Sequence, residues 1–535
     1  MVENDNSKDL VSVLWAGADI LRGKMDANEY KTYLLSFVFY KYLSDSYLYT
    51  AYDFINDDKP ESIEEAQKAY EAVYNDIDSE DLMRELKDTV HYTIKPELTY
   101  FSILQTVRNK TFNRENLQKA FNEIEASDRI FEGLFADVDL YSNRLGQGDQ
   151  KQSSVIAELI SEIGNADLMS EAGDVLGNAY EYLIGQFASE TGKKAGEFYS
   201  PHGPAQIVCR IAMAGQENKQ GLTVYDPCMG SASLMLSCRN YSNSPELINY
   251  YGQELMTSTY NLARMNMFLH NVLPENQHLR NGDTLDADWP TGEETEFDAV
   301  VMNPPYSAKW SAAEGFKSDE RFMDYGGNLA PKSKADFAFL LHGFYHLKST
   351  GTMAIILPHG VLFRGASEGK IRQILLDNGS IYAVIGLPAN LFYNTSIPTC
   401  IVVLKKQREG RDVLFIDGSA QFEKGKKQNT MTEENIDHIV KLYLDRKPVN
   451  KEAYLASYDD IKKNDYNLNI PRYVDSSEEE PEIDLTELRD RMKTTDAEIK
   501  ESNKSLVSLM KELSASDDQT QKILSDFIKM LEEEQ

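Results

Sequence analysis

The chain has 535 residues, of which 41% are hydrophobic and 26% charged, so it is long enough for two or three globular domains. Its 86 Asp and Glu residues outnumber 55 Lys and Arg residues, giving a net charge of −31, which argues against nucleic-acid binding without a local basic cleft or a basic partner. No segment approaches the roughly 20 apolar residues of a membrane span, and the four cysteines lack the CxxC spacing of a zinc site, so we expect a cytoplasmic protein with no membrane contact and no metal.

Residues 1–165 are predicted to form a helical N-terminal domain. The stretches 9–23 and 27–52 carry apolar residues at spacings of three and four, and glycine is sparse in them. The many Tyr and Phe residues of this region favour a core between packed helices over a cofactor site.

A second domain is predicted over residues 166–475. From about Leu222, short β-branched runs alternate with helical patterns, which indicates a doubly wound α/β sheet. The runs predicted to be strands are LTVYDP, LINYYGQEL, FDAVVMNPPY, GTMAIILP, SIYAVIGLP and TCIVVLKK. Ligands of such folds bind at the carboxyl ends of the strands. The unusual polar residues at those ends are Asp226, Glu254, Asp283 and Asn303.

The third predicted strand has an ending that does not suit a continuing sheet. The buried run Asp298–Met302 stops at Asn303, Pro304, Pro305 and Tyr306. The two prolines remove two backbone donors and stiffen the chain, so they hold the neighbouring carbonyls and the Asn amide in fixed directions. This arrangement is suited to presenting a few polar groups to a ligand.

Three further stretches contain candidate ligand-binding residues. The strand, tight turn and helix start across Val224–Ser233 can bind a polar ligand, although an ordinary turn with a capping Asp explains this stretch equally well. It matches neither GxGxxG nor GxxxxGK[ST]. Glu254 can accept hydrogen bonds from two ribose hydroxyls, and Asp283 can accept one from an adenine amino group. Singly, each is more often a solvated carboxylate, but their order along the chain supports a common site.

The sequence resembles a known family through motifs spread over nearly its whole length. DPCMGSAS, GQEL, GDTL and NPPY, in this order, are similar to the motifs of S-adenosylmethionine-dependent amino-methyltransferases. GEFYSP lies upstream of DPCMGSAS, and this order of motifs is similar to that of the adenine-N6 DNA methylases. The helical N-terminal region and the segments at 181–201, 387–406 and 466–474 resemble specifically the modification subunit of type I restriction–modification systems.

This resemblance implies that the cofactor is S-adenosylmethionine and assigns residues to it. The implied cofactor-binding residues are Tyr199, Ser200, Asp226, Gly230, Ser231, Glu254 and Asp283. Asp226 and Gly230 are expected at the methionine end of the cofactor. Glu254 is expected at its ribose and Asp283 at its adenine.

Two details of the implied cofactor site concern the chain around the methionine end. Tyr199 and Ser200 are expected to close over that end. Ala232 stands where the family usually has a second glycine. If this position requires a positive φ, its methyl group costs energy and weakens cofactor binding.

The resemblance also implies how the target base is bound. Asn303 and the Pro304 carbonyl are expected to accept hydrogen bonds from the amino group of the target adenine, and Tyr306 to stack on the base. These two acceptors favour a more tetrahedral amino nitrogen, whose lone pair then points at the methyl group of the cofactor. Holding the acceptors in place before the base arrives is electrostatic preorganisation for an in-line methyl transfer. The base must flip out of the duplex to be reached. Phe392 and Tyr393 are candidates for the other wall, with core packing at a strand end an equal alternative.

Residues 476–535 are predicted to form an acidic linker and a helical tail for subunit assembly. The stretch SSEEEPEIDL has five acidic residues and no basic one. An approximate heptad follows over Leu485–Met530, but three polar residues in its second apolar series weaken a self-dimer. We therefore favour a helix that docks on a partner, with packing on its own domain as the alternative.

These observations predict the catalytic modification subunit of a type I complex, acting on adenine N6 in double-stranded DNA. The expected partners are a specificity subunit that reads the DNA sequence, a second copy of this chain, and a restriction subunit that supplies translocation and cleavage. The alternatives are a methyltransferase acting on an RNA base or a protein glutamine, and an inactive scaffold that keeps the fold.

Overall fold

The computed structural model of the chain describes residues 5–75, 79–169, 175–190, 200–292, 294–392, 395–426, 428–476 and 484–533. The chain divides into two compact units, Met1–Ser476 and Ser477–Gln535. Among the helices in these ranges, none is both long and apolar enough to cross a membrane.

The first part of the larger unit is helical, as predicted. Its helices are α1 (Asp5–Leu21), α2 (Ala27–Asn56), α3 (Ile63–Tyr74), α4 (Ser79–Val90), α5 (Tyr100–Arg108), α6 (Arg114–Ser127), α7 (Asp149–Ile163) and α8 (Val175–Glu190). Ser62, Thr99 and Asn113 begin α3, α5 and α6 by accepting a backbone N–H in the first turn. The aromatic side chains pack as a core, with Phe121 and Phe135 stacked at 4.3 Å between ring centroids.

The remainder of the larger unit is an α/β domain around one mixed sheet. Its strands are β1 (Thr223–Asp226), β2 (Asn249–Glu254), β3 (Gln277–Asn281), β4 (Phe297–Met302), β5 (Leu347–Pro358), β6 (Ile381–Gly386), β7 (Thr399–Leu404), β8 (Val413–Asp417) and β9 (Ala453–Ala456). The order is β3-β2-β1-β4-β5-β7-β6-β8-β9, with the first five strands parallel and β7 antiparallel to both its neighbours.

Helices cover both faces of this sheet, which confirms the predicted doubly wound class. They are α9 (His202–Met213), α10 (Ser233–Leu236), α11 (Thr257–Leu269), α12 (Asp336–Tyr345), α13 (Ala366–Asp377), α14 (Glu433–Asp445) and α15 (Tyr458–Lys463). Apolar residues of α9, α10, α11 and α14 form the core on one face, and those of α12, α13 and α15 form it on the other. The six predicted strands correspond to β1, β2, β4, β5, β6 and β7.

Helix α11 belongs to two cores, because the helical region packs on its outer side. Three of its apolar residues join the buried cluster of the N-terminal helices, namely Leu262, Met265 and Leu269. The buried Arg264 donates to the carbonyls of Ile130 at 2.6 Å and Glu132 at 3.0 Å, and Asn261 donates to the carbonyl of Gly133 at 3.0 Å. The helical region and the sheet are therefore joined through specific polar contacts as well as apolar ones.

The smaller unit consists of two helices where the sequence pattern suggested one continuous heptad stretch. These are α16 (Leu485–Lys511) and α17 (Asp518–Glu533), and Lys511 pairs with Glu532 across them at 2.6 Å. The break falls at a Ser- and Asp-rich segment whose Asp517 carboxylate accepts the backbone N–H of Thr520, a helix-starting interaction. Exposed apolar side chains of this unit are Leu485, Leu488, Met492, Ile499, Leu506, Leu509, Leu513, Ile523, Phe527 and Met530.

Candidate active site

A cavity of about 350 Å³ lies at the carboxyl ends of the parallel strands. It has the size of a small-molecule site, for which roughly 300–1,000 Å³ is usual. The structure brings together around it most of the residues predicted from the sequence. Those lining it are Ser200, Asp226, Gly230, Ser231, Glu254, Asp283, Asn303 and Pro305. The predicted Tyr199 and Tyr393 lie outside the described residues.

The cavity is acidic. Asp226, Glu254 and Asp283 contribute three carboxylates, and among the described residues that line it there is no Lys, Arg or His. A phosphate-bearing nucleotide would meet repulsion here, whereas a ligand with positive charge would be attracted. The carboxylate oxygens also remain suitable acceptors for hydroxyl and amino groups.

Asp226 has a strongly perturbed acidity. It is the last residue of β1 and is 1% exposed, and its Oδ1 accepts the backbone N–H of Cys228 at 2.9 Å. Burial is the main cause that raises the pKa of Asp226 to about 8; the bond from Cys228 opposes this rise and the nearby Glu254 adds to it. A positive charge placed in the cavity would favour the ionised carboxylate again.

The turn between β1 and α10 contains two residues in the left-handed region, Gly230 with φ +54° and Ala232 with φ +67°. Gly230 donates its N–H to Glu254 Oε2 at 3.2 Å, so the turn and the end of β2 are held together. Ala232 is fully buried and precedes the first residue of α10. For a residue other than glycine, this conformation costs about 1–2 kcal/mol. Ala232 therefore has the positive φ, and the backbone strain, that the sequence analysis considered for this position.

The Asn-Pro-Pro-Tyr segment follows β4 directly and reaches the same cavity. Asn303 Nδ2 donates to Ser200 Oγ at 3.0 Å, and Tyr306 Oη donates to Asn303 Oδ1 at 2.8 Å. The first bond fixes the orientation of the Asn amide. Burial raises the pKa of Tyr306 well above its ordinary value, so its hydroxyl remains a donor. The side-chain oxygen Oδ1 of Asn303 has a second lone pair, with which it can accept a hydrogen bond from another N–H.

Phe392, a predicted wall of the base site, is 2% exposed and packs edge-to-face on Tyr306, with ring centroids 5.9 Å apart. In this arrangement it supports the Tyr306 ring. Its contact with a target base stays a prediction, as does the role of each site residue above.

Residues that the sequence did not single out hold this segment in place. The N–H of Ser307, whose φ is +54°, donates to Oδ1 of the buried Asp336 at 2.8 Å. Arg364 binds the other oxygen of Asp336 and also binds Glu368 with Nε···Oε2 at 2.6 Å. Asp336 and Arg364 are far from the motif in the chain, so no local pattern indicates their role. They fix the backbone immediately after Tyr306.

Comparisons with known proteins decide the family. The N-6 DNA Methylase model matches residues 171–482, and the HsdM N-terminal domain model matches residues 10–163. The chain belongs to the N-6 DNA methylase family. It is thus an adenine-specific DNA methyltransferase of the type I restriction–modification class, which confirms the predicted family and enzyme class.

Individual relatives of this N-6 DNA methylase cover almost its full length. The type I restriction enzyme MpnII methylase subunit of Mycoplasma pneumoniae is 35% identical, over 88% of this chain and 90% of that protein. The MjaVIII methylase subunit of Methanocaldococcus jannaschii is 30% identical, over 92% and 82%. The crystal structure of a type I restriction–modification methyltransferase subunit from Streptococcus thermophilus has 55% identity and a TM-score of 0.86, and covers 88% of this chain and 100% of that one.

Proposed function

We propose that this chain transfers a methyl group from S-adenosylmethionine to N6 of adenine in DNA, as the catalytic modification subunit of a type I complex. One observation carries the proposal. Asn303 both lines the acidic cavity and begins the rigid Asn-Pro-Pro-Tyr segment, so a group held by Asn303 lies beside a ligand bound in the cavity.

The chemistry of the cavity fits the proposed cofactor. S-adenosylmethionine carries a positive sulfonium and, near neutral pH, an ammonium and a carboxylate group, so its net charge is positive, and the cavity offers three carboxyl groups. Asp226 would hold the methionine end, Glu254 would accept from the ribose hydroxyls, and Asp283 from the adenine amino group. When bound, the cofactor supplies a methyl group on a positively charged sulfur.

The protein's own part in the transfer is to bind and orient the target nitrogen. Asn303 Oδ1 and the Pro304 carbonyl accept hydrogen bonds from the two N–H groups of the target amino group, which leaves the nitrogen lone pair directed into the cavity. Because Asp336 anchors Ser307, and Ser200 anchors the Asn amide, these acceptors need little reorganisation when the base arrives. The target base must leave the duplex, and Tyr306 would provide the face that receives it.

The same proposal assigns DNA reading and assembly to partners. The net charge of −31 requires basic surface from elsewhere to hold DNA, which a specificity subunit would supply. The row of exposed apolar side chains on α16 and α17 suits docking on that subunit. A second copy of the chain would complete the methylase, and a separate restriction subunit would translocate and cleave DNA. All of these would act in the cytoplasm.

The decisive experiment is a methyl-transfer assay with the chain co-purified with its specificity subunit. Labelled S-adenosylmethionine is offered with DNA, with RNA and with protein acceptors, and the DNA product is digested to locate the label. We expect N6-methyladenine in DNA only. Label in RNA or protein would support the rival methyltransferases, and failure of the chain to bind the cofactor would support the scaffold.

A further inference from the structure

A buried amide at the wall of the cavity has no role in the function proposed so far. Gln253 precedes Glu254 at the end of β2, is 0% exposed and lines the cavity. Within the described part of the chain, neither its Nε2 nor its Oε1 has a hydrogen-bond partner. Its backbone is satisfied, because its carbonyl accepts the N–H of Met229 at 3.0 Å. Only the side chain is left unpaired.

An unpaired buried amide is costly and therefore informative. Leaving a buried donor or acceptor unsatisfied costs about 1–3 kcal/mol, and most such groups in proteins are paired. An apolar side chain at this strand position would avoid that cost. The amide is therefore best explained by a partner that enters the cavity, since the cavity is what it borders.

The position of the amide tells which part of a ligand it would meet. A β-carbon placed on Gly282 would lie 3.2 Å from Gln253 Nε2, so the amide packs against the residue immediately before Asp283. Asp283 is the residue assigned to the adenine of the cofactor. Asp226, assigned to the methionine end, belongs to another strand, β1.

We propose that Gln253 reads the purine base of the cofactor and is a specificity-determining residue of the site. The inference rests on the function proposed above. A carboxylate such as Asp283 only accepts hydrogen bonds, whereas an amide offers an acceptor and a donor side by side. The amino-bearing edges of adenine present a donor next to a ring-nitrogen acceptor, and side-chain amides pair with such edges in two bonds. Gln253 supplies the donor that Asp283 lacks.

This assignment predicts opposite effects on stability and on binding. Gln253→Met keeps the size of the side chain and removes the polar atoms. We expect the ligand-free full-length protein to melt at the same or a higher temperature, because no unsatisfied amide is buried. Affinity for S-adenosylhomocysteine should fall at least about tenfold. A purely structural role would instead lower the melting temperature and leave affinity unchanged, which would overturn the inference.

Calorimetry with altered bases tests the contact itself. The probes are S-adenosylhomocysteine and its 1-deaza and 7-deaza analogues, each of which replaces one ring nitrogen by CH. For the wild-type chain, at least one analogue should bind about tenfold more weakly, and this penalty should disappear in Gln253→Met. Gln277→Met is the matched control, because Gln277 lies on the neighbouring strand β3, bonds the Val272 carbonyl at 2.7 Å and does not line the cavity.

A second variant keeps the test decisive if Gln253→Met fails to fold. Gly282→Ala brings a methyl group against the amide without requiring a positive φ. This variant should bind S-adenosylhomocysteine more weakly, and the difference in affinity between S-adenosylhomocysteine and its deaza analogues should become smaller. Equal penalties in wild type and variants would overturn the role of Gln253 and leave the proposed function intact. Absence of any binding by the wild-type chain would overturn both.

Discussion

The proton on Asp226 gives a quantitative prediction. Burial, together with Glu254, raises the pKa of Asp226 to about 8. The carboxyl is then about 99% protonated at pH 6 and about 90% at pH 7. The sulfonium and ammonium groups of the cofactor, placed beside this carboxyl, would favour its ionised form. Binding should therefore release close to one proton at pH 6–7, and affinity should rise about tenfold per pH unit until pH 8.

Calorimetry in two buffers of different ionisation enthalpy measures this proton directly. Asp226→Asn is the control, because it cannot ionise and should release no proton and bind more weakly.

The raised pKa of Asp226 also makes the stability of the folded chain depend on pH. A carboxyl whose pKa is raised on folding contributes stability that is present below about pH 4 and is lost as the pH rises to about 8, by up to about 1.4 kcal/mol per unit. The Asn variant should lack this loss. A wild-type affinity that is flat between pH 6 and 8, with no proton released, would refute the reasoning.

Three other outcomes follow from the site and the tail. Asn303→Ala should lower methyl transfer by roughly a hundredfold or more while cofactor affinity by calorimetry stays nearly unchanged; near-wild-type turnover would contradict the mechanism. Ala232→Gly should tighten cofactor binding, because glycine adopts a φ of +67° without strain; a large loss of affinity would contradict the placement of this turn in the cofactor site. Deleting Leu485–Gln535 should leave a soluble, cofactor-binding chain that no longer co-elutes with the specificity subunit in size-exclusion chromatography. Continued co-elution would exclude the tail as the docking element.

Six of the seven strands that have a neighbour on both sides were predicted from the sequence, and neither edge strand was. The exception is β8, which was missed although four of its five residues are buried. The run of β4 is buried at every residue from Phe297 to Met302, so its apolar pattern is continuous. β3 lies at the edge of the sheet and reads QHLRN, with no fully buried residue, so its pattern is that of a loop. β9, at the other edge, has only four residues. Where one side of a strand faces no neighbour, the hydrophobic signal is weak.

The motifs of the site were visible, but the contacts that hold them were not. Asp226 and Asn303 could be found because each ends a recognisable strand. The anchoring of Ser307 by Asp336 depends on two segments that meet only in the folded chain. The positive φ of Ala232 is likewise a property of the turn's geometry, since alanine by itself favours right-handed backbone. The unpaired amide of Gln253 became visible only when burial and partners were known.

Because α11 belongs to both cores, we expect that the α/β domain does not fold stably without the helical region. A fragment starting near residue 171 would contain every methylase motif. It would nevertheless expose the apolar outer side of α11 and remove both carbonyl acceptors of the Arg264 guanidinium. The smallest piece suited to expression, domain grafting or directed evolution therefore extends to the first helices. For the same reason, a substitution at the surface of the helical region can affect the end of β2, where Glu254 lies, through the helix α11 that follows this strand.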